Sequence, residues 1–386
     1  MLRQAGSVRA VERPPIPVEE CGRIPDSRIL NHMTIAVGAL RFHRPRRRAV
    51  GWWLFAMALL VAAMVTLGGM TRLTGSGLSI TEWKPVSGVI PPLTLDAWHT
   101  AFQNYQQIPQ YRFENRAMTL AQFQTIYWWE WTHRLLGRVL AIVFLLPFIV
   151  FAATGAIPRK GWGRMLLLFA LGGIQGAVGW WMVKSGLETR VSVSQYRLAI
   201  HLGVALLLFG ALLWTAFEYL RDQGSSRRSD AAGKKLLPFG WSLVALVYVQ
   251  MLLGSLVAGL HAGLIYNTWP SMNGRVFPEG GFAQQPWWRN FFENAGLVQF
   301  DHRLVAYLVA ACVLVFWIAA RKVEFACTVR TSSNTLLATV LVQIPLGILT
   351  LLNGAPLPLA ALHQAIAVAL LGAALWNAFE CFANRT

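Results

Sequence analysis

The sequence predicts an all-α polytopic membrane protein with eight transmembrane helices, built as two parallel-repeat four-helix bundles. Three observations lead to this fold class: an apolar composition, eight apolar stretches of spanning length, and an internal repeat. Of the 386 residues, 55% are hydrophobic and only 13% are charged, and the mean hydropathy is +0.46. Soluble globular domains carry about 25% charged residues, so this composition indicates a chain that lies mostly in lipid.

Eight apolar stretches are long enough to cross the membrane. A hydrocarbon core of ~30 Å requires about 20 apolar residues in a helix. Pro345 interrupts the seventh stretch, but proline is tolerated in spanning helices. The predicted spans cover residues 51–70, 131–153, 164–183, 198–217, 237–260, 300–320, 335–352 and 359–379.

The net charge of +17 is divided among short clusters between these stretches, the largest of them at residues 41–48. Clusters of this kind are typical of cytoplasmic loops, so nucleic-acid binding is not predicted. With the N-terminus inside, the inner segments hold more than twice as many Lys and Arg as the outer ones. Both termini are therefore predicted to be cytoplasmic.

The first fifty residues contain no signal-peptide core, so no cleavage is expected. They include Glu12, Glu19, Glu20 and Asp26, whereas mitochondrial transit peptides are poor in acidic residues. The predicted location is the bacterial inner (plasma) membrane, in preference to the mitochondrial inner membrane.

The even-numbered spans repeat between the two halves of the chain. The fourth reads HLGVALLLFGALLWTAFE from His201, and the eighth reads HQAIAVALLGAALWNAFE from His363. The second contains THRLLGRVLA around His133, and the sixth contains DHRLVAYLVA around His302. Four spans per repeat is an even number, so both halves cross the membrane in the same sense, as parallel repeats do.

The odd-numbered spans also repeat between the two halves. Gln175 stands four residues before Gly179 in the third span, and Gln343 stands four residues before Gly347 in the seventh. The predicted parts are a cytoplasmic N-terminal extension (1–50), an N-terminal four-helix half (51–217), a cytoplasmic linker (218–236), a C-terminal four-helix half (237–379) and a cytoplasmic tail (380–386).

Four of the eight histidines lie near the outer ends of the even-numbered spans. An ionisable residue inside a membrane is by default a functional candidate, and two imidazoles on neighbouring helices can supply both axial ligands of a haem. The repeat then predicts two sites, His133 with His201 and His302 with His363. The alternative is that each histidine hydrogen-bonds a neighbouring helix. The spacing does not resemble a zinc cluster.

Residues beside these histidines suggest further roles. Arg134 and Arg303 could pair with haem propionates, or extend toward the interface as long basic side chains do. Glu130 lies one helical turn before His133, whereas Gln299 holds the same place before His302. This difference predicts proton chemistry in the first half only; the alternative is an interfacial Glu130 that faces water. His261 has no counterpart in the first half and is interpreted as an interfacial polar residue.

These motifs resemble the haem A synthase family over nearly the whole chain, from Gly51 to Phe379. The resemblance rests on GGMTRLTGSGLSITEWKPVSG, EWTHRLLGR, AGLHAGLIYNTWP, QFDHRLVAY and the two spans that run from His to AFE. The sequence departs from some relatives in having no cysteine pair in an outer loop, and it has His261 where another polar residue is expected.

The resemblance implies an oxidoreductase that converts haem O to haem A for cytochrome oxidase. Two successive hydroxylations of one ring methyl, the C8 methyl, and loss of water would leave a formyl group. It implies a haem b, and hence iron, on His302 and His363, the substrate haem at His133 and His201, and an essential Glu130. The resemblance also implies that the protein acts together with the haem O synthase, protohaem farnesyltransferase, as a partner.

Two other functions are compatible with paired histidines. A di-haem b cytochrome that only transfers electrons would need haems at two depths, whereas the four histidines lie at a similar depth. A haem transporter fits parallel repeats, but ligands from both partner helices favour retention over release. Diphosphate-binding motifs of the DxxxD kind are lacking, so the chain is not predicted to be the prenyltransferase.

Overall fold

The computed structural model describes the backbone of residues 27–221, 231–322 and 327–383, and the side chains of 46–221, 235–322 and 328–383. Residues 1–26 of the predicted N-terminal extension, 222–230 of the predicted linker and 384–386 of the predicted tail lie outside the described backbone. Residues from Arg47 onward form one compact unit.

The described backbone is almost entirely helical. Within the described ranges, extended backbone pairs at an isolated β-bridge between Met272 and Arg275. The helices are α1 (Ser27–Leu73), α2 (Leu95–Gln106), α3 (Pro109–Phe113), α4 (Leu120–Ala153), α5 (Arg159–Glu188), α6 (Gln195–Leu220), α7 (Ala231–Gly259), α8 (Asn290–Glu293), α9 (Ala295–Arg321), α10 (Cys327–Leu352) and α11 (Leu357–Ala383).

Among the described residues, eight helices are long and apolar enough to cross a membrane: α4, α5, α6, α9, α11, and the parts Arg46–Leu73 of α1, Lys235–Gly259 of α7 and Thr328–Leu352 of α10. The all-α multi-pass prediction is confirmed. Pro345 lies inside α10 without ending it.

Several helices extend beyond their apolar stretches, and α4 shows why. Its predicted start was residue 131, but it begins at Leu120 behind a capping box in which Thr119 and Gln122 bond each other's backbone. A capping box satisfies N–H groups that the first turn leaves without partners. The added turns carry Phe123 and Tyr127 into a cluster outside the predicted span.

Each half is a set of neighbouring helices. In the first, α4 packs on α5 and α5 on α6, while Gly51 of α1 lies against Leu220 of α6. In the second, α7, α9, α10 and α11 form a closed ring of contacts. The repeat relation between the halves and their exact boundaries stay predictions.

The halves meet where α6 packs on α7 and α11. Small residues let these helices approach closely, as at Gly210 of α6, where a Cβ would lie 3.4 Å from Cδ1 of Leu375 on α11. Close contact of this kind stabilises helix association in lipid, where the hydrophobic effect between helices is weak.

A second, smaller layer lies beside the first half. Its buried core is contributed by α2, the first turns of α4 and three connecting segments, and consists of Leu78, Tyr105, Ile108, Phe123, Tyr127 and Val193. Tyr105 and Phe123 are fully buried. This layer, called the outer layer because it lies beside the main helix bundle, holds the segment after α1 against α4, next to the candidate site.

Candidate functional site

The structure brings the predicted histidines together in pairs. His133 lies on α4 and His201 on α6, and they are close enough for their charges to interact. His302 on α9 and His363 on α11 show the same proximity. The two histidines of each predicted pair are therefore neighbours, and their joint role as ligands stays a prediction.

Each imidazole fits against a glycine of the preceding spanning helix. A Cβ added to that glycine would approach Cε1 of the histidine to between 2.8 and 3.2 Å, closer than carbon atoms pack. A side chain at Gly68, Gly179 or Gly347 would displace the ring, whereas at Gly254 the ring would have to move by a few tenths of an ångström. The pairs are Gly68 with His133 (2.9 Å), Gly179 with His201 (2.9 Å), Gly254 with His302 (3.2 Å) and Gly347 with His363 (2.8 Å).

A glutamine one turn before the glycine holds three of the four rings. Each glutamine Nε2 donates to the backbone carbonyl of its histidine, at 3.1 Å from Gln175, 3.0 Å from Gln250 and 3.1 Å from Gln343. The same Nε2 lies 3.2 Å from Nδ1 of His201 and 3.1 Å from Nδ1 of His302. At His363 it lies 3.5 Å from Nε2 instead.

Sequence reasoning singled out Gln175 and Gln343 but missed Gln250. The signal that could have found it is the same spacing in the fifth span, since Gln250 stands four residues before Gly254. In the first span that place, four before Gly68, is occupied by Met64. Nδ1 of His133 is buried and has no hydrogen-bond partner among the described residues.

Glu130 is buried, with only 3% of its surface exposed, so it does not face water. Its Oε2 accepts hydrogen bonds from the Ser79 hydroxyl and the Ile80 backbone N–H, both at 2.8 Å. Its Oε1 forms an ion pair with Arg134 at 2.6 Å. The carboxylate therefore binds the segment that follows α1 to helix α4.

Arg134 completes this attachment. It donates to the backbone carbonyls of Ile80 at 2.7 Å and Glu82 at 2.9 Å, and its guanidinium lies 5.8 Å from the Trp180 ring centre. The guanidinium thus binds protein backbone; its predicted pairing with a propionate stays a prediction.

The second half has a neutral version of the same attachment. Gln299 donates to the Ala262 carbonyl at 2.7 Å and accepts from Arg303 at 2.8 Å. Arg303 also donates to the carbonyls of Tyr266 and Thr268. The Glu/Gln difference thus follows a difference in partners: the carboxylate faces N–H and O–H donors, and the amide faces a carbonyl.

His261 contacts the first half. Its backbone is left-handed, with φ of 52°, and Nη2 of Arg72, at the end of α1, lies 2.7 Å from its Nε2. Burial and the neighbouring Arg72 charge lower the pKa of His261, which favours the neutral ring that can accept this hydrogen bond.

The two halves share one turn of α1. Gln364, beside His363, donates to the Val65 carbonyl at 2.8 Å, and a Cβ at Gly69 would overlap its side chain. Gly68, the adjacent residue, touches His133. This turn therefore contacts the histidine sites of both halves.

The residues fit an iron porphyrin better than a bare metal ion. Within the described part of the chain, no group of three or more His, Cys, Asp or Glu residues could hold an ion. A porphyrin supplies four ligands of its own and needs only an axial pair, which two facing imidazoles provide. The glutamine Oε1 atoms and Nδ1 of His133 and His363 are buried without partners, as expected for side chains that surround a bound group.

Comparison with known proteins places these features in a family. Residues 51–375 match the profile of COX15-CtaA, described as cytochrome oxidase assembly protein. A relative named "Heme A synthase" from Parvibaculum lavamentivorans is 48% identical over 341 residues, which cover 88% of this chain and 96% of that protein. Proteins of the same name are 49% identical over 357 residues in Rhodopseudomonas palustris strain HaA2, covering 92% and 96% of the two chains, and 48% identical over 330 residues in Paracoccus denitrificans, covering 85% and 86%.

Proposed function

This chain belongs to the COX15-CtaA family of cytochrome oxidase assembly proteins, and we propose that it is an enzyme of haem A biosynthesis, a haem A synthase that uses haem O as substrate. The observation that carries the proposal is the pair of neighbouring histidines in each half, each ring packed against a glycine. Relatives named "Heme A synthase" at 44–50% identity support it.

The proposed reaction converts the C8 methyl of haem O to a formyl group. Two hydroxylations add one oxygen each and give first an alcohol and then a geminal diol. Loss of water from the diol leaves the aldehyde. Each hydroxylation removes two electrons from the methyl carbon. Where the oxygen comes from water, an electron acceptor takes these two electrons and two protons are released; where it comes from dioxygen, a donor supplies two electrons that, with two protons, reduce the second oxygen atom to water. In both cases the site needs a route for electrons and a group that transfers protons.

The first half is the proposed substrate site. His133 and His201 hold the substrate haem between α4 and α6, and the apolar helix faces exclude bulk water. Glu130, one turn from His133 on α4, holds a proton or a water close to the reacting methyl. Its hydrogen bonds to Ser79 and Ile80 and its ion pair with Arg134 fix the position of the carboxylate.

The second half is the proposed electron-transfer site. His302 and His363 would hold a haem b, whose chemistry there is one-electron transfer. Gln299 replaces the carboxylate, and Arg303 binds loop carbonyls. This half therefore lacks an acidic group at the place that Glu130 occupies, as suits a site that moves electrons only.

The surroundings are also proposed from the family. The protein spans the bacterial inner membrane with both termini in the cytoplasm. Haem O carries a farnesyl chain that partitions into lipid, so transfer from protohaem farnesyltransferase within the same membrane would avoid passage through water.

Pigment analysis of the purified protein tests the proposal. Protein made together with a haem O synthase should carry haem b, and haem A or its hydroxylated precursor should appear in the extract. Glu130→Gln should keep haem b but stop formyl formation, whereas Ser79→Ala, which removes one neutral hydrogen bond from the same carboxylate, should keep most of the yield.

A protein that holds haem b and forms no oxidised haem O would instead be a di-haem electron carrier. Colourless protein made with ample haem would overturn both functions. Unchanged haem A yield from Glu130→Gln would overturn the role of Glu130 alone.

A further inference from the structure

The four histidine sites share one plan and differ at one position. In three of them a glutamine amide contacts the histidine twice, at the backbone carbonyl and at the ring. The imidazole lies between this amide and the glycine one turn later. These two contacts restrict rotation of the ring about its side-chain bonds.

The amide also carries an acceptor that the protein leaves without a partner. Oε1 of Gln175, Gln250 and Gln343 is buried and has no hydrogen-bond partner within the described ranges. Each of these oxygens belongs to the same amide group as the Nε2 that contacts the histidine. An imidazole that ligates a metal through one nitrogen normally donates its other N–H to an oxygen acceptor. Such a bond fixes the ring and strengthens its binding to the metal.

His133 has no such partner. The equivalent place on α1 is Met64, whose thioether is a weak acceptor and cannot donate. The methyl group of Met64 lies near Gly137 of α4, and a Cβ added to Gly137 would lie 3.5 Å from that methyl group. Nδ1 of His133 is buried without a hydrogen bond in the part of the chain that the structure describes, and so is Nδ1 of His363, but the His363 ring still contacts Gln343 through Nε2 at 3.5 Å. The His133 ring has the Gly68 contact and no glutamine beside it.

We infer that Gln175, Gln250 and Gln343 are positioning residues for three permanent iron ligands, and that His133 is the exchangeable ligand of the substrate site. The inference rests on the proposed function, because it takes both halves to bind an iron porphyrin. It places the weaker ligand in the half that does chemistry, on the same helical turn as Glu130. The electron-transfer half keeps both ligands anchored.

Carbon monoxide binding to the anaerobic, reduced protein tests the inference, with haem O in the first half and haem b in the second. An anchored pair excludes carbon monoxide, whereas an exchangeable ligand admits it. About half of the total haem should therefore bind carbon monoxide in the unaltered protein. The fractions of low-spin and high-spin iron in the oxidised protein, measured by electron paramagnetic resonance, give an independent measure of ligation.

Reciprocal variants provide the control. Met64→Gln supplies the missing amide and should lower the first-half carbon monoxide affinity by roughly tenfold or more, the usual effect of a second-shell partner. Gln250→Met removes the amide from His302 and should open the second haem, so that nearly all the haem binds carbon monoxide. Gln175→Met should raise first-half binding further, and it serves if Met64→Gln fails to fold.

The outcomes separate the two proposals. Equal carbon monoxide binding by both haems in the unaltered protein, or no response to either reciprocal variant, would overturn the assignment of His133 and leave the enzyme proposal standing. A first half that binds no haem would overturn the proposed function and this inference together.

Discussion

Nη2 of Arg72 lies 2.7 Å from Nε2 of His261, and the same nitrogen donates to the Ala258 carbonyl at 3.1 Å. A guanidinium can only donate hydrogen bonds, so His261 must accept and its ring must be neutral at Nε2. The contact joins the C-terminal end of α1 in the first half to the residue pair that follows α7 in the second. It gives His261 a structural role that its sequence position alone did not suggest.

This contact predicts a stability that depends on pH. Because the pKa of His261 lies below its ordinary value of 6.5 in the folded protein, the unfolded chain binds more protons below that pH. The stabilisation is complete above about pH 6.5 and declines as the pH falls below it. Thermal unfolding in detergent between about pH 5 and 8 measures the slope.

The control is His261→Asn. Asparagine tolerates the left-handed backbone and offers a carbonyl acceptor that does not titrate. This variant should unfold with a weaker dependence on pH over the same range. An identical pH profile in the variant would remove His261 from the explanation.

The contacts between glycines and histidine rings predict a sharp difference between neighbouring substitutions. Gly179→Ala should displace His201, since its Cβ would lie 2.9 Å from the ring, at a cost of roughly 1–3 kcal/mol. Haem in the first half should fall accordingly. Gly176→Ala, on the same helix with nothing within 4 Å of its Cβ, should be neutral or stabilising by up to about 1 kcal/mol.

Haem content per protein, measured spectroscopically, tests this pair, and Gly347→Ala extends it to the second half. Equal haem content in Gly176→Ala and Gly179→Ala would show that the contact between Gly179 and the His201 ring is not needed.

The two arginine attachments should differ in energy. Arg134→Ala leaves the Glu130 carboxylate buried without its counter-charge, and breaking a buried pair in this way costs about 3–5 kcal/mol. Arg303→Ala leaves the neutral Gln299 amide and should cost less. Unfolding in denaturant compares the two variants, and similar losses of stability would mean that the charge on Glu130 contributes little.

The proposed orientation predicts which loops are accessible from each side of the membrane. A cysteine in place of exposed Glu279, in the segment between α7 and α8, should react with an impermeant thiol reagent in cells with permeabilised outer membranes. A cysteine in place of Lys322, after α9, should react only after the inner membrane is opened. The reverse pattern would invert the topology.

Much of the fold followed from the sequence because spanning length is a property of local composition. Eight apolar stretches gave eight helices, and the repeat paired His133 with His201 and His302 with His363. Helix ends were less predictable. The early start of α4 depends on the capping box at Thr119 and on packing of Phe123 in the outer layer, neither of which hydropathy reports.

The surroundings of the histidines were harder to predict, because they depend on contacts between distant segments. Ser79 and Glu130 are 51 residues apart, and Arg72 and His261 are 189 apart. Gln250 was missed for a different reason: Met64 breaks the pattern in the first span, so comparing the first and fifth spans did not reveal the spacing shared with Gln175 and Gln343.

The shared turn of α1 limits how far the duplicated halves can be regarded as modules. Val65 and Gly69 contact Gln364 of the second half, and Gly68, which lies between them, contacts His133 of the first half. If the chain were cut at its central linker and the first half produced alone, Gly69 would border a gap and α1 would lose a neighbour. Each half produced alone would therefore expose a face that the other half covers in the whole chain, and we expect such a half to associate with a second copy or to be less stable.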